Sequence, residues 1–307
     1  MSRDTKHQES LRNIPFFHEH TGIQPITKGY SSDNKYIVTK ASGKFLVRTF
    51  AISELDRKRE EFHALFMMEE SNVNCSRPVE LGELKDQGLG YMILTYIEGN
   101  DAIVDLPKYS TEDQYNIGFE AGIELAKIHR HLAPDTITAW HERKIDKHKK
   151  YIEDYNQLGI RIHDDSKIMT FIDDNIHLMI NRPNRFQHDD YHVGNLIVKD
   201  NKFAGIIDFN RFDWGDPIHD FLKVGMFSSE VSVPFSVGQI RGYHHNQEPT
   251  ELFWKLNALY LAMCLISSVV WIVRVKPEET DVMLRIINRV IEDHHGFESI
   301  KPRWYNI

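Results

Sequence analysis

The stretch that most constrains the fold of this chain runs from Phe186 to Asp220 and reads FQHDDYHVGNLIVKDNKFAGIIDFNRFDWGDPIHD. Its two apolar runs, Leu196–Val198 and Phe203–Ile207, have the length of short strands, and the polar run Lys199–Lys202 between them predicts a turn. The stretch is therefore predicted to form a β-hairpin. Polar side chains at both ends of such a hairpin are carried on a rigid support.

These flanking polar residues have a spacing that is typical of phosphoryl transfer. His188, Asp190 and Asn195 are spaced as in the protein-kinase catalytic loop, where the Asn follows the Asp by five residues. Asp208 lies eighteen residues after Asp190, just past the second strand. The reaction needs a carboxylate to orient a hydroxyl and accept its proton, and hard oxygen ligands to hold magnesium on the phosphates. The pattern predicts such a site, and no thiol in the stretch suggests zinc.

The same residues resemble the aminoglycoside phosphotransferase family of small-molecule kinases. The run HDDYHVGN from His188 to Asn195 is similar to the family's usual His-Gly-Asp-x-His-x-Gly-Asn. The later run GDPIHD, Gly215–Asp220, is also typical of the family. The resemblance implies an α+β, bilobal protein-kinase-like fold with a β-rich N-lobe and a mainly helical C-lobe.

The resemblance also implies roles for single residues. Asp190 would be the catalytic base, and His188 would brace the loop. Asn195 and Asp208 would be the Mg²⁺ ligands. Asp216 and His129 would be structural. A different residue, Asp189, stands where the family usually has Gly, so we expect an ordinary backbone conformation there.

Composition limits the partners and the compartment. With 307 residues, 41% of them hydrophobic and 27% charged, the chain has an ordinary globular composition. Its net charge of −8 argues against nucleic acid, because binding to a phosphate backbone needs a basic face. Two lone thiols, Cys75 and Cys264, and a polar N-terminus without an apolar signal core predict a cytoplasmic protein. The apolar run Leu256–Val275 is long enough to cross a membrane, but its polar interruptions favour a buried core helix and no membrane partner.

The first hundred residues read as strands with one helix, which predicts a nucleotide-binding lobe. A turn rich in Gly and Ser follows the first strand, and Gly29, Ser31 and Ser32 are candidates to hold phosphates through backbone N–H groups. A simple hairpin turn is the alternative there. Arg48 takes the position at which kinases have a phosphate-binding Lys on the third strand, and an arginine can bind phosphate through two donors.

Two further nucleotide-binding features follow from the resemblance. It selects Glu61 on the next helix as the partner of Arg48, with Glu60 as the competitor. It also implies that adenine hydrogen-bonds to the hinge backbone, which makes Thr95, Tyr96 and Ile97 candidates by position.

The predicted elements change from strands to helices near residue 100, which predicts a domain boundary. We expect a nucleotide-binding N-lobe at residues 1–97 and a catalytic and substrate-binding C-lobe at residues 98–307. Helical patterns dominate the second part, but the low-polarity segment Val231–Arg241, with Pro234 and Gly238, is expected to be a loop.

These features predict a phosphotransferase that moves the γ-phosphoryl group of ATP or GTP, with Mg²⁺, to a hydroxyl of a small molecule. An aminoglycoside antibiotic is the first acceptor, because of the family and because an acidic protein suits a cationic substrate. Two alternatives stay open. One is a metabolic kinase of the same fold that acts on choline, homoserine or a sugar, or a macrolide kinase. The other is a catalytically inactive nucleotide-binding scaffold.

Overall fold

Alternating apolar residues in the first part of the chain form a five-stranded antiparallel sheet, with strand order β1-β2-β3-β5-β4. The computed structural model describes residue 11, residues 14–27 and residues 32–305. Tyr36, Val38 and Val47 are buried on one face of the sheet, against a cluster that includes Phe17. The strands are β1 (His20–Ile26), β2 (Asn34–Lys40), β3 (Gly43–Ala51), β4 (Pro78–Leu84) and β5 (Leu89–Thr95). Helix α1 (Leu55–Glu70) packs against β4 and β5.

The chain divides into two compact units. The first unit comprises residues 1–98 and 205–210, and the second comprises residues 99–204 and 211–307. The first is β-rich and the second is mainly helical, which is the α+β composition predicted from the sequence. The nucleotide-binding and catalytic roles assigned to the two lobes stay predictions.

The second unit contains eight of the α-helices in the described part of the chain. They are α2 (Ala102–Asp105), α3 (Thr111–Ile128), α4 (Trp140–Gln157), α5 (Asp165–Asn175), α6 (Ser229–Val231), α7 (Val233–Tyr243), α8 (Glu251–Val275) and α9 (Thr280–Asp293). The short strands are β6 (Asn100–Asp101), β7 (Arg185–Gln187), β8 (Leu196–Lys199), β9 (Lys202–Ile206) and β10 (Asp213–Gly215). Strand β10 pairs with β7, and β8 lies between β6 and β9.

The predicted hairpin is present as β8 and β9. Its turn residues Asp200 and Asn201 have positive φ angles of 50° and 57°. Two consecutive left-handed residues match the right-handed twist of the strands, and Asp and Asn tolerate this conformation well. The hairpin therefore follows directly from the local sequence.

The segment around Val231–Arg241 is helical, so the predicted loop is wrong. Helix α7 begins after Ser232, whose side chain accepts a hydrogen bond from the Phe235 N–H. Pro234 lies in the first turn of α7, where its missing N–H has no helical partner to lose. The glycine in this segment serves packing rather than a turn.

Helices α3 and α7 touch backbone to backbone through glycines on both sides. A Cβ atom on Gly118 would lie 2.0 Å from the Phe235 carbonyl oxygen, and one on Gly242 would lie 2.0 Å from the Phe119 carbonyl oxygen. Only glycine permits helices to approach so closely. This contact orients α3, which carries His129 at its end.

Helix α8 is the apolar run that is long enough to cross a membrane, and no second such helix occurs in the part of the chain that the structure describes. Within its most apolar window, 72% of the helix is buried by the rest of the protein. Its N-terminus is capped by Thr250, which accepts a hydrogen bond from the Phe253 N–H. Helix α8 is thus packed as a core helix of the second unit.

Replacing Gly122 by Ala should destabilise the protein, because the added Cβ would lie 2.1 Å from the Gln239 carbonyl oxygen. Overpacking of this kind costs about 1–3 kcal/mol. This site lies at the upper end, because the nearest atoms are backbone atoms of α7 rather than flexible side chains. Urea unfolding measures the loss. Gly159→Ala is the matched control, since nothing lies within 4 Å of its added Cβ. Equal losses in the two variants would contradict the close helix contact.

Candidate active site

The loop between β7 and β8 is held by one buried carboxylate, Asp220, which is 1% exposed. Its Oδ2 accepts the His188 N–H at 2.9 Å, and its Oδ1 accepts the Asp189 N–H at 2.7 Å. His129 Nε2 lies 3.0 Å from Oδ2, and His129 Nδ1 lies 2.9 Å from the Tyr243 hydroxyl. His129 therefore has a structural place, as expected, and the loop backbone is fixed by groups of its own unit.

Asp189 has a left-handed backbone with a φ of 58°, so the expected ordinary conformation is wrong. Its N–H bond to Asp220 and a contact of 3.1 Å between its Oδ1 and His219 Nδ1 hold it there. For most residues this region costs about 1–2 kcal/mol, and Asp is among those that visit it most readily. The loop keeps the geometry of a glycine turn and gains a negative charge beside Asp190.

Asp190 is partly exposed and surrounded by partners that keep it ionised. Lys223 Nζ lies 2.9 Å from its Oδ1, and His192 Nε2 lies 3.6 Å from the same oxygen. Burial raises the pKa of Asp190, but the charge of Lys223, joined by that of His192 only when its ring is protonated at acid pH, outweighs burial and lowers the pKa to about 2. Asp190 is therefore a carboxylate at neutral pH, which can accept a hydrogen bond from a hydroxyl.

His188 and His192 both orient the loop through ring nitrogens that accept backbone hydrogen bonds. His188 Nδ1 accepts the Asp190 N–H at 3.3 Å, and His192 Nδ1 accepts the Gly194 N–H at 3.1 Å. Because Nδ1 is the acceptor in His192, its Nε2 carries the proton when the ring is neutral and faces Asp190. Burial lowers the pKa of His192 to about 4, which keeps the ring neutral.

Asn195 is turned so that its oxygen is available to a metal ion. Its Nδ2 donates to the Asp190 carbonyl oxygen at 2.8 Å and to Asp190 Oδ2 at 3.2 Å. Both partners are oxygen atoms of Asp190, and only the amide nitrogen of Asn195 can donate hydrogen bonds to them. The Nδ2 must therefore face Asp190, and the Asn195 Oδ1 faces away. This orientation fits the role of a magnesium ligand.

The second predicted ligand, Asp208, belongs to the first unit and follows β9 with a φ of 68°. Within the described ranges, no group of three or more His, Cys, Asp and Glu side chains could hold a metal. Magnesium on a nucleotide needs only one or two protein oxygens, because phosphates and water supply the others. An amide oxygen and a carboxylate fit Mg²⁺ in kind, and their assignment as its ligands stays a prediction.

Asp216 has the structural role that the resemblance implies. It is fully buried, and Arg182 contacts both of its oxygens, at 2.6 Å from Nε and 3.0 Å from Nη2. The Tyr260 hydroxyl donates to Asp216 Oδ2 at 2.8 Å and accepts the Trp140 Nε1–H at 3.0 Å. These contacts connect the loop that contains Asp216 to α4 and α8.

A chain of polar groups connects Asp189 to Lys144 on α4. Lys144 Nζ lies 2.7 Å from His219 Nε2. An ammonium group has only donors, so Nε2 must be the acceptor, and the proton of His219 lies on Nδ1, which faces Asp189. Burial lowers the pKa of Lys144 to about 8. The sequence analysis gave no role to Lys144, His219 or Lys223, although His219 lies in the run GDPIHD.

In the first unit, Arg48 forms the predicted ion pair with Glu61 through its Nη1. Glu61 is 3% exposed, whereas the competitor Glu60 is exposed. Two residues that were not predicted join the pair: Asp33 lies 2.6 Å from Arg48 Nη2, and Lys58 Nζ lies 2.7 Å from Asp33. The result is a buried, electrically balanced group of two cations and two carboxylates, which we name the Arg48 cluster.

Electrostatics in the Arg48 cluster favour the charged forms. Burial lowers the pKa of Arg48, but Glu61 and Asp33 raise it above its usual range. Burial raises the pKa of Asp33, and Arg48 and Lys58 bring it below its usual range. No motif signalled Asp33 or Lys58. Asp33 directly precedes β2 and Lys58 lies on α1, so only the tertiary structure brings them to Arg48.

Other predicted nucleotide-binding positions have mixed outcomes. Gly29 and Ser31 lie outside the described residues, and Ser32 is exposed just before β2. At the hinge, the Thr95 N–H donates to the Arg77 carbonyl at 2.9 Å and the Tyr96 N–H donates to the Lys44 carbonyl at 3.1 Å. Their N–H groups are committed to the sheet, so Ile97 is the predicted position whose N–H lies beyond the ladder. All six roles in nucleotide binding, with those of Arg48 and Glu61, stay predictions.

Solved structures share this fold at low sequence identity. APH(4)-Ia is 12% identical with a TM-score of 0.70, and the match covers 94% of this chain and 98% of that one. The gentamicin complex of APH(2")-IIa is 15% identical with a TM-score of 0.65, covering 94% and 97%. The streptomycin–ATP ternary complex of APH(2")-IIa is 16% identical with a TM-score of 0.63, covering 94% and 99%. A comparison with curated proteins finds no match.

The matched structures and the loop spacing define a protein-kinase-like phosphotransferase fold, as predicted. A model of the phosphotransferase enzyme family, abbreviated APH, matches residues 22–254. Because that match covers more than half of the chain, the chain belongs to this family and is a small-molecule phosphotransferase. The family resemblance stated from the sequence is confirmed.

Replacing Lys223 by Met should raise the pKa of Asp190 from about 2, because burial then acts without the paired ammonium group. A lowered pKa in the folded state stabilises the protein above the usual Asp value, and this contribution is lost as the pH falls towards about 2. The free energy of unfolding of the variant should therefore lie furthest below that of the wild type near neutral pH, and the gap should narrow at about pH 3. Urea unfolding at several pH values measures it.

The control for this prediction is the same substitution in an Asp190→Asn background, where the pH dependence of the gap should disappear. A gap that is equally wide at both pH values in the original background would show that Lys223 does not set the ionisation of Asp190.

Proposed function

We propose that the chain transfers the γ-phosphoryl group of ATP or GTP to a hydroxyl group of a small molecule. The observation that carries the proposal is the state of Asp190: an ionised, partly exposed carboxylate on a loop that Asp220 fixes in place. The ATP present in the structurally similar APH(2")-IIa complex supports a nucleotide donor. The lone thiols support a cytoplasmic location.

The residues of the chain act mainly through position and charge. The acceptor hydroxyl donates a hydrogen bond to Asp190, which aligns its oxygen with the γ-phosphorus. As the new O–P bond forms, the bond from the γ-phosphorus to the β–γ bridging oxygen breaks, the hydroxyl proton passes to Asp190, and the nucleoside diphosphate leaves. Lys223 and His192 hold Asp190 in place throughout. Asn195 and Asp208 would hold magnesium, which would supply positive charge to the phosphates.

Replacing Asp190 by Asn should lower kcat by about 10²–10⁴-fold, because the amide cannot accept the hydroxyl proton. The dissociation constant for the nucleotide should change little, since Asp190 serves the acceptor. Steady-state kinetics and calorimetric titration with nucleotide separate the two effects. Asp200→Asn is the control, because it makes the same change in the exposed hairpin turn. Full turnover in the Asp190 variant would rule out the assignment.

An aminoglycoside is the first acceptor in this proposal. Several solved structures with this fold carry the names of aminoglycoside phosphotransferases, and two of them are named as complexes with gentamicin and streptomycin. The net charge of −8 also suits a cationic substrate. In that case the chain would confer antibiotic resistance on a cell that expresses it.

A second candidate, a metabolic small-molecule kinase or a macrolide kinase, is favoured by the charges next to Asp190. Lys223 contacts Asp190, and Lys144 reaches Asp189 through His219. The two ammonium groups balance the two carboxylates, so this part of the site has no excess negative charge. A polycation such as an aminoglycoside gains less there than a choline, homoserine, sugar or macrolide that carries at most one positive charge.

A panel of acceptors with γ-labelled ATP and GTP separates the two candidates. The panel comprises gentamicin, streptomycin, kanamycin, a macrolide, choline, homoserine and simple sugars. Transfer of label to an aminoglycoside, together with a higher kcat/KM for that acceptor in Lys144→Gln, supports the first candidate. Label only in acceptors with at most one positive charge supports the second. The absence of label in every acceptor, with nucleotide still bound, would favour an inactive scaffold over both.

A further inference from the structure

Three donor groups in the Arg48 cluster converge on a single oxygen atom, Asp33 Oδ2. Arg48 Nε lies 2.8 Å from it, Arg48 Nη2 lies 2.6 Å from it, and Lys58 Nζ lies 2.7 Å from it. All three residues are at most 9% exposed. A carboxylate oxygen that receives two cationic side chains in this way occupies a place where an oxyanion is strongly favoured.

The two cations are held in position independently of Asp33. Glu61 receives Arg48 Nη1 and lies 3.6 Å from Lys58 Nζ, so it helps to orient both cations. Lys58 also lies 5.4 Å from the centre of the Phe50 ring, which favours an ammonium group there. The position of Asp33 Oδ2 is therefore an anion-binding site. Glu61 helps to hold the two cations that form the site, and Asp33 is the anion bound in it.

The occupant comes from the segment where a nucleotide phosphate is expected. Asp33 directly precedes β2, in the connection from β1 that the sequence marks as phosphate-binding, and Arg48 lies on β3 at the phosphate-binding position of kinases. A phosphate oxygen has the same charge and size as the carboxylate oxygen now present. It can accept the hydrogen bonds that Arg48 Nε and Lys58 Nζ now donate to Asp33.

We propose that Asp33 occupies, in the nucleotide-free chain, the place of a nucleotide phosphate oxygen, and that Lys58 is a second phosphate-binding residue beside Arg48. The inference rests on the proposed function for the nature of its ligand. Nucleotide binding is then an exchange of one anion for another. The occupied site lowers the apparent affinity, because only the fraction of molecules in which Asp33 has left can bind.

Asp33→Asn tests the exchange, because the neutral amide competes less well for the two cations. The dissociation constant for magnesium-ATP should fall by about 10-fold, because a larger fraction of the molecules is then able to bind the phosphate. Isothermal titration measures it. The substitution also leaves two buried cations with one carboxylate, so the variant should unfold at a lower temperature than the wild type.

The same variant gives a second readout that needs no catalysis. Inorganic triphosphate should raise the melting temperature of Asp33→Asn clearly more than that of the wild type, because it replaces the missing charge. The matched control is Asp293→Asn. Asp293 is also buried, and it also joins two cations, Arg289 and Arg303, each at 2.9 Å. Its variant should be destabilised without any such rescue.

Lys58 supplies an independent variant in case Asp33→Asn does not fold. Lys58→Met should raise the dissociation constant for magnesium-ATP by about 10-fold, the usual effect of one charge-assisted hydrogen bond. Lys58→Arg should retain most of the affinity. Equal affinity in Lys58→Met and the wild type would show that Lys58 only balances charge.

Two outcomes for Asp33→Asn distinguish this inference from the proposed function. If the wild type binds ATP but Asp33→Asn binds it no tighter and gains no more from triphosphate, Asp33 is a structural carboxylate and the exchange is wrong. If the wild type binds neither ATP nor GTP and triphosphate still rescues Asp33→Asn, the anion site stands and the proposed function fails.

Discussion

The structure of the loop between β7 and β8, which carries Asp190, depends on one buried carboxylate, Asp220. It accepts the N–H groups of His188 and Asp189 and contacts His129. Two consecutive amides can converge on one carboxylate only if the backbone turns sharply between them, which explains the left-handed conformation of Asp189. Asp190 follows this turn directly. Its direction is therefore set by a contact that involves neither nucleotide nor acceptor, which is the preorganisation that electrostatic catalysis requires.

The Arg48 cluster shows a different physical situation. Its four charges are buried and balanced, and removal of one partner from such a group costs about 3–5 kcal/mol. A phosphate can join Arg48 and Lys58 without that loss only by replacing a carboxylate of similar charge. Glu61 belongs to the helix that orients the cations, whereas Asp33 lies on the connection to β2. The loop that carries Asp190 is thus held by contacts that need no nucleotide, and the rearrangement that we propose is confined to the Arg48 cluster.

The sequence predicted what local patterns and fixed spacings determine. The hairpin follows from two apolar runs and a polar turn, and the Arg48–Glu61 pair follows from strand and helix positions that the family shares. Contacts such as Lys223 with Asp190, or Asp33 with Arg48, join residues that no motif relates, so only packing reveals them. The conformation of Asp189 was missed for a similar reason, since a distant carboxylate stabilises it. Helix α7 was missed because Pro234 and Gly238 favoured a loop, although Pro234 lies in the first helical turn and Gly238 serves a close helix contact.

The most direct test of this account is native-state hydrogen exchange of the His188 and Asp189 amides, with and without magnesium-ATP. Because both amides donate to buried Asp220, we expect them to exchange only through openings close in free energy to global unfolding. Without nucleotide their protection should already be close to this global limit, and magnesium-ATP should raise it only as far as it raises the global free energy of unfolding. If these amides exchange as fast as those of an exposed loop in the absence of nucleotide and become protected only when it binds, the loop that carries Asp190 is not formed in advance.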